Sequence, residues 1–163
     1  MNGKATNIFW KTTFDNLKWK CHSCEVCCKY FSVFLTTQDA YRLRSQGLGD
    51  KVGRTVDGRD FVVKPDWGEC SFLQNRLCRI YQNRPECCAQ YPFIMNIAAD
   101  GTLRISATRT CPCLGKGKNL TESYLSGLVE RSMRNTPGFE KSVLWWKGLY
   151  DQSWASKFPE YPD

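Results

Sequence analysis

Ten cysteines are the residues of this chain whose type and spacing could do chemistry. Cys21, Cys24 and Cys27 form a C-x2-C-x2-C series, the spacing with which a short loop wraps three corners of a 4Fe–4S cluster. Thiolates bind soft or borderline metals, either as single zinc ions or as iron–sulfur clusters. The fourth ligand of such a loop is often followed by proline, and Cys111-Pro112 provides that pair far along the chain. The sequence therefore predicts a thiolate metal centre, with iron–sulfur favoured over zinc.

The adjacent cysteines Cys27 and Cys28 indicate more than one centre. We expect neighbouring side chains to diverge in an extended or turn backbone, so that one metal would rarely use both. The pair can instead place one ligand in each of two neighbouring sites. His22 is the single histidine of the chain, which excludes a Cys2His2 finger. We expect it to be a loop residue near the centre and not a ligand.

A disulfide framework is the main alternative interpretation of an even number of cysteines. Residues 1–20 mix charged side chains with isolated aromatic ones and contain no apolar stretch like that of a secretory leader. In the reducing cytosol the same cysteine pattern indicates metal or redox chemistry. We therefore expect a cytoplasmic protein with free, metal-binding thiols.

The charge and hydropathy of the chain exclude few functions. There are 23 Lys and Arg residues against 16 Asp and Glu, a net charge of +7, with no block of consecutive basic residues. This excess suits an acidic protein surface or weak nucleic-acid contact and selects neither, so we do not predict a nucleic-acid partner. No apolar run is long enough to cross a bilayer, so we do not expect the protein to be embedded in a membrane.

The elements that must position the cysteines are short. Residues 1–20 are expected to form an irregular or partly helical arm, and residues 30–35 a strand. Thr36 to Asp39 has the form of a capping box, which predicts a helix over about 37–46. Further predictions are a strand at 60–64, a hairpin tip at 74–76, a short helix or turn after Arg84-Pro85, a hairpin over 93–107 turning at Asp100-Gly101, a helix capped by Asn119 or Thr121, and a last helix at about 139–152.

These elements predict an α+β fold. We expect a small cysteine-rich, metal-organised domain with short strands and hairpins, a few helices and a helical C-terminal part. The chain divides into an N-terminal arm (1–20), a cysteine-cluster domain (21–118) and a helical extension packed on it (119–163). The flanks carry tryptophans that could wrap the core or anchor a partner: Trp10, Trp19, Trp145, Trp146 and Trp154.

Several spaced motifs resemble the zinc- or iron-chelating CxxCxxCC family, to which the flagellin lysine N-methylase also belongs. The resemblance begins at CHSCEVCC (21–28) and continues in FLTTQDAYRL (34–43), where the family has a strand, then Thr-x-x-Asp and a helix. It is strongest in CSFLQNRLCRIYQNRPECCAQYPF (70–93) and closes with CPCLGKGK (111–118). Because these motifs occur in the right order over most of the chain, the resemblance is specific.

The resemblance implies eight cysteine ligands. The family positions fall on Cys21, Cys24, Cys27, Cys28, Cys70, Cys78, Cys88 and Cys111. One partition places Cys21, Cys24, Cys27 and Cys111 in one four-thiolate centre and the remaining four in another. The sequence departs from the family's usual pattern at Glu25 and Cys113, where glycine is common, at Ala89, where a basic residue is common, and at the variable position of Cys87. Arg84 and Tyr91 lie in the strongest motif and are candidate neighbours of the thiolates.

The function that the resemblance implies is metal binding, and we do not expect catalysis. We predict a protein that binds two 4Fe–4S clusters, with zinc as the alternative, and acts as a redox- or oxygen-responsive regulatory subunit. The predicted partner is a protein, such as a large enzyme complex of an anaerobe. There are three alternatives: an accessory protein or enzyme of protein lysine methylation, a zinc-stabilised nucleic-acid module, and an electron-transfer protein. Against the first, the chain has no motif for S-adenosylmethionine.

Overall fold

The computed structural model describes residues 1–5, 8–65 and 68–136. The chain forms two compact units. One, the sheet unit, combines the described residues of Met1–Trp19 and Pro92–Arg109 with those that follow from Gly115; the other, the cysteine unit, combines the described residues of Lys20–Tyr91 with Thr110–Leu114. All ten cysteines belong to the cysteine unit. The predicted division into arm, cysteine domain and extension stays a prediction.

The elements confirm the predicted α+β class. In chain order the described residues form β1 (Asn2–Ala5), β2 (Ile8–Thr12), β3 (Lys18–Trp19), α1 (Val26–Tyr30), α2 (Thr37–Ser45), β4 (Val52–Arg54), β5 (Asp60–Val62), β6 (Leu73–Gln74), β7 (Leu77–Cys78), α3 (Glu86–Gln90), β8 (Phe93–Ile97), β9 (Leu103–Ala107), β10 (Lys118–Asn119) and α4 (Glu122–Asn135). Short 3-10 turns lie at Gly49–Lys51 and Tyr81–Asn83.

The sheet unit is built on strands in the order β1-β2-β9-β8. β2 pairs with β1 antiparallel and with β9 in parallel, so the N-terminal segment supplies a central strand. The expectation of an irregular or partly helical arm is therefore wrong. Ile8 and Trp10 point inward and are about 1% exposed, whereas Phe9 between them is 62% exposed, which is the alternation of a strand with one buried face.

Helix α4 packs its apolar face against this sheet. The Thr121 side chain accepts a hydrogen bond from the N–H of Tyr124 and thereby caps the helix, as predicted. Leu125, Leu128 and Val129 are buried in the same core as the sheet residues. The helix predicted at about 139–152 lies outside the described residues. Within the described ranges, the helices are too short or too polar to cross a membrane.

The cysteine unit has a small apolar core. Its buried residues are Val33, Leu43, Val62, Cys70 and Phe72. Cys28, Cys78 and Cys88 are half-buried and pack against them. Thiol side chains therefore make up part of the core of this unit, which is a common arrangement in small domains that depend on metal for folding.

Most of the local predictions in this unit are confirmed. Thr36 caps α2, with Asp39 completing the capping box. Hairpin β6–β7 turns at Asn75 and Arg76, whose φ angles of 49° and 66° fit a two-residue hairpin loop. The strand predicted over 30–35 is wrong, because its first residue ends α1 and only Phe34 forms a bridge, to Phe61.

Candidate metal centre

The first cysteine motif is a turn followed by a short helix. Ser23 and Glu25 have positive φ angles of 53° and 66°, which curl the chain between Cys21 and α1. Cys27 and Cys28 lie within α1, and their Sγ atoms are 4.0 Å apart. The expectation that these side chains diverge is wrong, because the backbone is helical and not extended. Their spacing is close to the sulfur–sulfur separation of roughly 3.8 Å that a tetrahedral Zn–S distance of about 2.3 Å implies.

Cys70, Cys78 and Cys88 bring further thiols to this pair. The N–H of Cys70 donates to the carbonyl of Cys28 at 2.9 Å, which fixes the start of the second cysteine segment against α1. Burial raises the pKa of the Cys70 thiol, and the neighbouring Cys78 and Cys27 thiols raise it further. The pKa of Cys88 is raised chiefly by its hydrogen bond with the Cys87 thiol, and then by burial and by the charges of neighbouring thiols that include Cys70 and Cys27.

Cys28 lies among these thiols. Its pKa is raised first by its hydrogen bond to Cys27, then by burial and by Cys27, Cys70 and Cys78. That hydrogen bond is also the chief cause that lowers the pKa of Cys27, from 9.0 to about 6. Because Cys21 in turn acts on the pKa of Cys78, six thiols form one electrostatically connected group: Cys21, Cys27, Cys28, Cys70, Cys78 and Cys88.

A second group contains Cys24, Cys111 and Cys113. Cys111 and Cys113 are 5% and 2% exposed, and the N–H of Leu114 closes a turn onto the carbonyl of Cys111 at 3.2 Å. The pKa of Cys113 is raised to about 11, chiefly by burial and also by the hydrogen-bonded thiol of Cys24 and by Cys111. The sequence interpretation set Cys113 aside, and the signal that could have found it is the Cys-Pro-Cys spacing. The predicted partition into two sets of four stays a prediction.

Cationic side chains lie around the thiols. Burial raises the pKa values of Cys78 and Cys70, and the positive charges of Arg84 and Lys64 partly offset this rise; Arg84 also adds to the lowering of the Cys27 pKa. The Arg84 guanidinium lies 4.0 Å from the centre of the Tyr81 ring, in a cation–π arrangement. These positive charges would offset the negative charge that several thiolates create when they bind a metal.

Tyr91 supplies a buried polar atom at the junction of the two thiol groups. Its hydroxyl has no hydrogen-bond partner in good geometry among the described residues, although Thr110 and Cys111 lie beside it. Burial is the main cause that raises its pKa to about 12, and the Cys111 and Cys27 thiols add to it. A metal-bound sulfur would be an acceptor for this hydroxyl. The donor chemistry of the site and this buried hydroxyl therefore fit a thiolate-bound metal or cluster.

The carboxylate of Asp39 holds the helix that carries Cys88. Asp39 is 4% exposed, and its oxygens accept hydrogen bonds from the N–H of Thr36 at 3.3 Å, from Arg42 at 2.7 Å and from the N–H of Glu86 at 3.0 Å. Because Glu86 begins α3, this contact joins the Thr-x-x-Asp motif to the segment that follows Arg84-Pro85. Cys87, next along α3, is exposed, and its thiol donates to the Phe34 carbonyl at 3.1 Å.

The thiols lie near one another, but the described side chains do not surround a common point as the ligands of a metal would. In the described part of the chain, no three His, Cys, Asp or Glu side chains are placed so that they could hold one metal ion. His22 is exposed. Ligation would therefore require the thiol side chains to turn toward a common point, and the assignment of the eight cysteines as ligands stays a prediction.

Comparisons with known proteins agree with this chemistry. A family model named CxxCxxCC and described as "Putative zinc- or iron-chelating domain" matches residues 20–124. An uncharacterized protein of Methanocaldococcus jannaschii is 27% identical over 127 residues, which cover 67% of this chain and 41% of the relative. The chain thus spans less than half the length of that relative. No solved structure matches the chain.

Proposed function

We propose a function from the premise that this chain belongs to the CxxCxxCC family of zinc- or iron-chelating domains. Metal binding is the common property of the family, and the cysteine unit is where it would take place. We further propose that the bound metal is iron in iron–sulfur clusters, held by thiolates from the eight predicted positions: Cys21, Cys24, Cys27, Cys28, Cys70, Cys78, Cys88 and Cys111.

The observation that carries this proposal is the gathering of all the cysteines in one unit. One zinc ion needs four ligands, whereas the cysteine unit gathers all ten cysteines of the chain. Clusters use one thiolate for each iron corner, so a surplus of thiols with no buried histidine suits them well. The C-x2-C-x2-C spacing of the first motif supports the same choice.

The chain's own residues would adjust such a cluster. A bound iron–sulfur cluster supplies a couple that gains or loses an electron at a potential set by its charge and hydrogen bonds. Arg84 and Lys64 provide positive charge near Cys27 and Cys70, which favours the more negative, reduced state. Tyr91 places a buried hydroxyl beside Cys111, where it can donate to a sulfur.

A role as a redox- or oxygen-responsive subunit of a larger complex completes the proposal. Large apolar side chains are exposed on the cysteine unit: Tyr30, Tyr41, Val56, Leu77 and Tyr81, which range from 41% to 110% exposed. Exposed aromatic residues are favoured anchors at protein interfaces. Capture experiments with and without oxygen would test this role, and partners that are the same under both conditions would rule out the oxygen-responsive form.

Metal and sulfide analysis tests the identity of the centre. We expect protein purified without oxygen to be brown, to absorb near about 400 nm and to contain acid-labile sulfide together with iron. Zinc without sulfide would overturn the iron–sulfur proposal in favour of a zinc site. Cys88→Ser should lower the metal content, whereas Cys87→Ser, at the exposed neighbouring position, is the matched control that should retain it. Cys113→Ser tests whether the buried thiol beside Cys24 is a ligand as well.

A further inference from the structure

A network of charged side chains lies next to the thiols and contains none of the predicted ligands. The Glu25 carboxylate accepts a hydrogen bond from Arg76 Nε at 2.6 Å and pairs with Lys29 Nζ at 2.6 Å. Lys29 also pairs with Glu69 at 3.2 Å. Together with Leu73 and Asn75, these side chains line a cavity of about 440 Å³.

The network connects the segments that carry the cysteines. Glu25 directly follows Cys24, and Glu69 directly precedes Cys70. Arg76 lies in the turn between β6 and β7, and β7 ends at Cys78. Each of these segments could otherwise move independently when the thiols turn toward a metal. The charged network therefore lies where it can restrain such movement.

Glu25 occupies a position that does not suit its residue type. Its φ of 66° is in the left-handed region, which non-glycine residues populate sparsely. Its side chain is nevertheless only 9% exposed and satisfies two cations. Because both cations are partly exposed, each ion pair adds modestly to stability, and together they tie the carboxylate to two separate segments. Glu25 thus fixes the conformation of the first cysteine loop more firmly than the backbone alone would.

We propose that Glu25 is a positioning residue of the metal centre, whose ion pair with Arg76 holds the first cysteine loop against the hairpin that ends at Cys78. This inference rests on the proposed metal binding. When metal leaves, the loop and the hairpin must separate, so breaking the ion pair speeds metal loss. Because the Arg76 side chain is 81% exposed, the effect weakens in high salt.

The test measures how fast protein that is purified without oxygen, with its metal bound, releases that metal to an excess of a coloured chelator. Glu25→Gln and Arg76→Gln should each raise the release rate by about threefold to tenfold. The double variant should be no faster than the faster single variant, because both changes remove the same interaction. At about 1 M salt the difference from the wild type should shrink. Asp57→Asn is the matched control, since it breaks an exposed ion pair with Arg59 at 2.8 Å in the same unit and should leave the rate unchanged.

Glu25→Gly separates positioning from general stability. This substitution relieves the left-handed backbone and removes the carboxylate, so the apoprotein should be at least as stable in urea while metal release becomes faster. Release at the wild-type rate from Glu25→Gly and Arg76→Gln would overturn the proposal, since neither change should unfold the chain. Wild-type protein that takes up no metal would overturn the proposed function as well, so the two failures can be told apart.

Discussion

Replacing Asp39 by alanine tests how the cysteine unit positions the helix that carries Cys88. The carboxylate is 4% exposed and accepts hydrogen bonds from the N–H of Thr36, which caps α2, and from the N–H of Glu86, which begins α3. Alanine removes these acceptors and also the partner of Arg42. The cap provided by the Thr36 hydroxyl remains, because it bonds to the backbone N–H at position 39.

The contacts of Asp39 give the magnitude of the effect. Depriving the buried N–H of Glu86 of its acceptor should cost about 1–3 kcal/mol. The lost half of the capping box contributes about 0.5–1 kcal/mol, and the ion pair with the partly exposed Arg42 contributes less than about 1 kcal/mol. We therefore expect the free energy of unfolding to fall by about 3 kcal/mol. Asp39→Asn keeps one acceptor oxygen and should lose about half as much.

Urea unfolding with the metal content held constant measures the loss, and amide hydrogen exchange locates it. The N–H of Glu86 should exchange about a hundredfold faster in Asp39→Ala, whereas amides of the sheet unit should change much less. Asp57→Ala, at an ion-paired carboxylate that is 60% exposed, is the control and should stay within about 0.5 kcal/mol of the wild type. If Asp39→Ala also stays within about 0.5 kcal/mol of the wild type, and the N–H of Glu86 exchanges at its wild-type rate, then Asp39 does not hold α3.

Three further predictions concern other parts of the chain. Gly3→Ala should cost about 1–3 kcal/mol in urea unfolding, because the added Cβ would overlap the ring of Trp10, which is 1% exposed; a neutral result would mean that the ring moves freely. Gly127→Ala should instead stabilise α4 by about 0.5–1 kcal/mol, since nothing lies within 4 Å of the added methyl group, and a loss of stability would contradict this. The hydrogen bond from Arg44 holds the pKa of Asp60 below its ordinary 3.8. The ionised Asp60 carboxylate therefore stabilises the fold fully above about pH 3.8, and this stabilisation is lost as the pH falls through the depressed pKa. The stability difference between the wild type and Asp60→Asn should accordingly be largest near neutral pH and vanish in acid, and a pH-independent difference would be inconsistent with an ionised Asp60.

The features that the sequence predicted well are those with a local cause. The capping box fixed by Thr36 and Asp39 and the cap at Thr121 depend on residues within one helical turn. The two-residue turn at Asn75 and Arg76 is likewise determined by neighbouring strands of a single hairpin. Such signals can be interpreted without knowing what the element packs against.

The features that the sequence missed depend on distant partners. Strand β2 pairs in parallel with β9, which lies far along the chain, and nothing within the first twenty residues indicates that partner. Composition favoured a strand over residues 30–35, but the chain there leaves α1 and meets β5 only in a short bridge at Phe34 and Phe61, with flanking hydrogen bonds to Asp60 and Val62. The proximity of Cys113 to Cys24 is also long-range, so the sequence could count the thiols but not group them.

Glu25 shows why a departure from a motif has to be judged in three dimensions. The sequence alone indicates only that a residue other than the usual glycine follows Cys24. The left-handed φ of 66° explains the preference for glycine. For a glutamate this conformation costs about 1–2 kcal/mol relative to an ordinary backbone conformation. The loop keeps this conformation nonetheless, because the carboxylate gains Lys29 and Arg76 as partners while nearly buried. The glutamate at position 25 thus holds the left-handed turn through an ion pair with the hairpin, whose Arg76 lies 51 residues further along the chain.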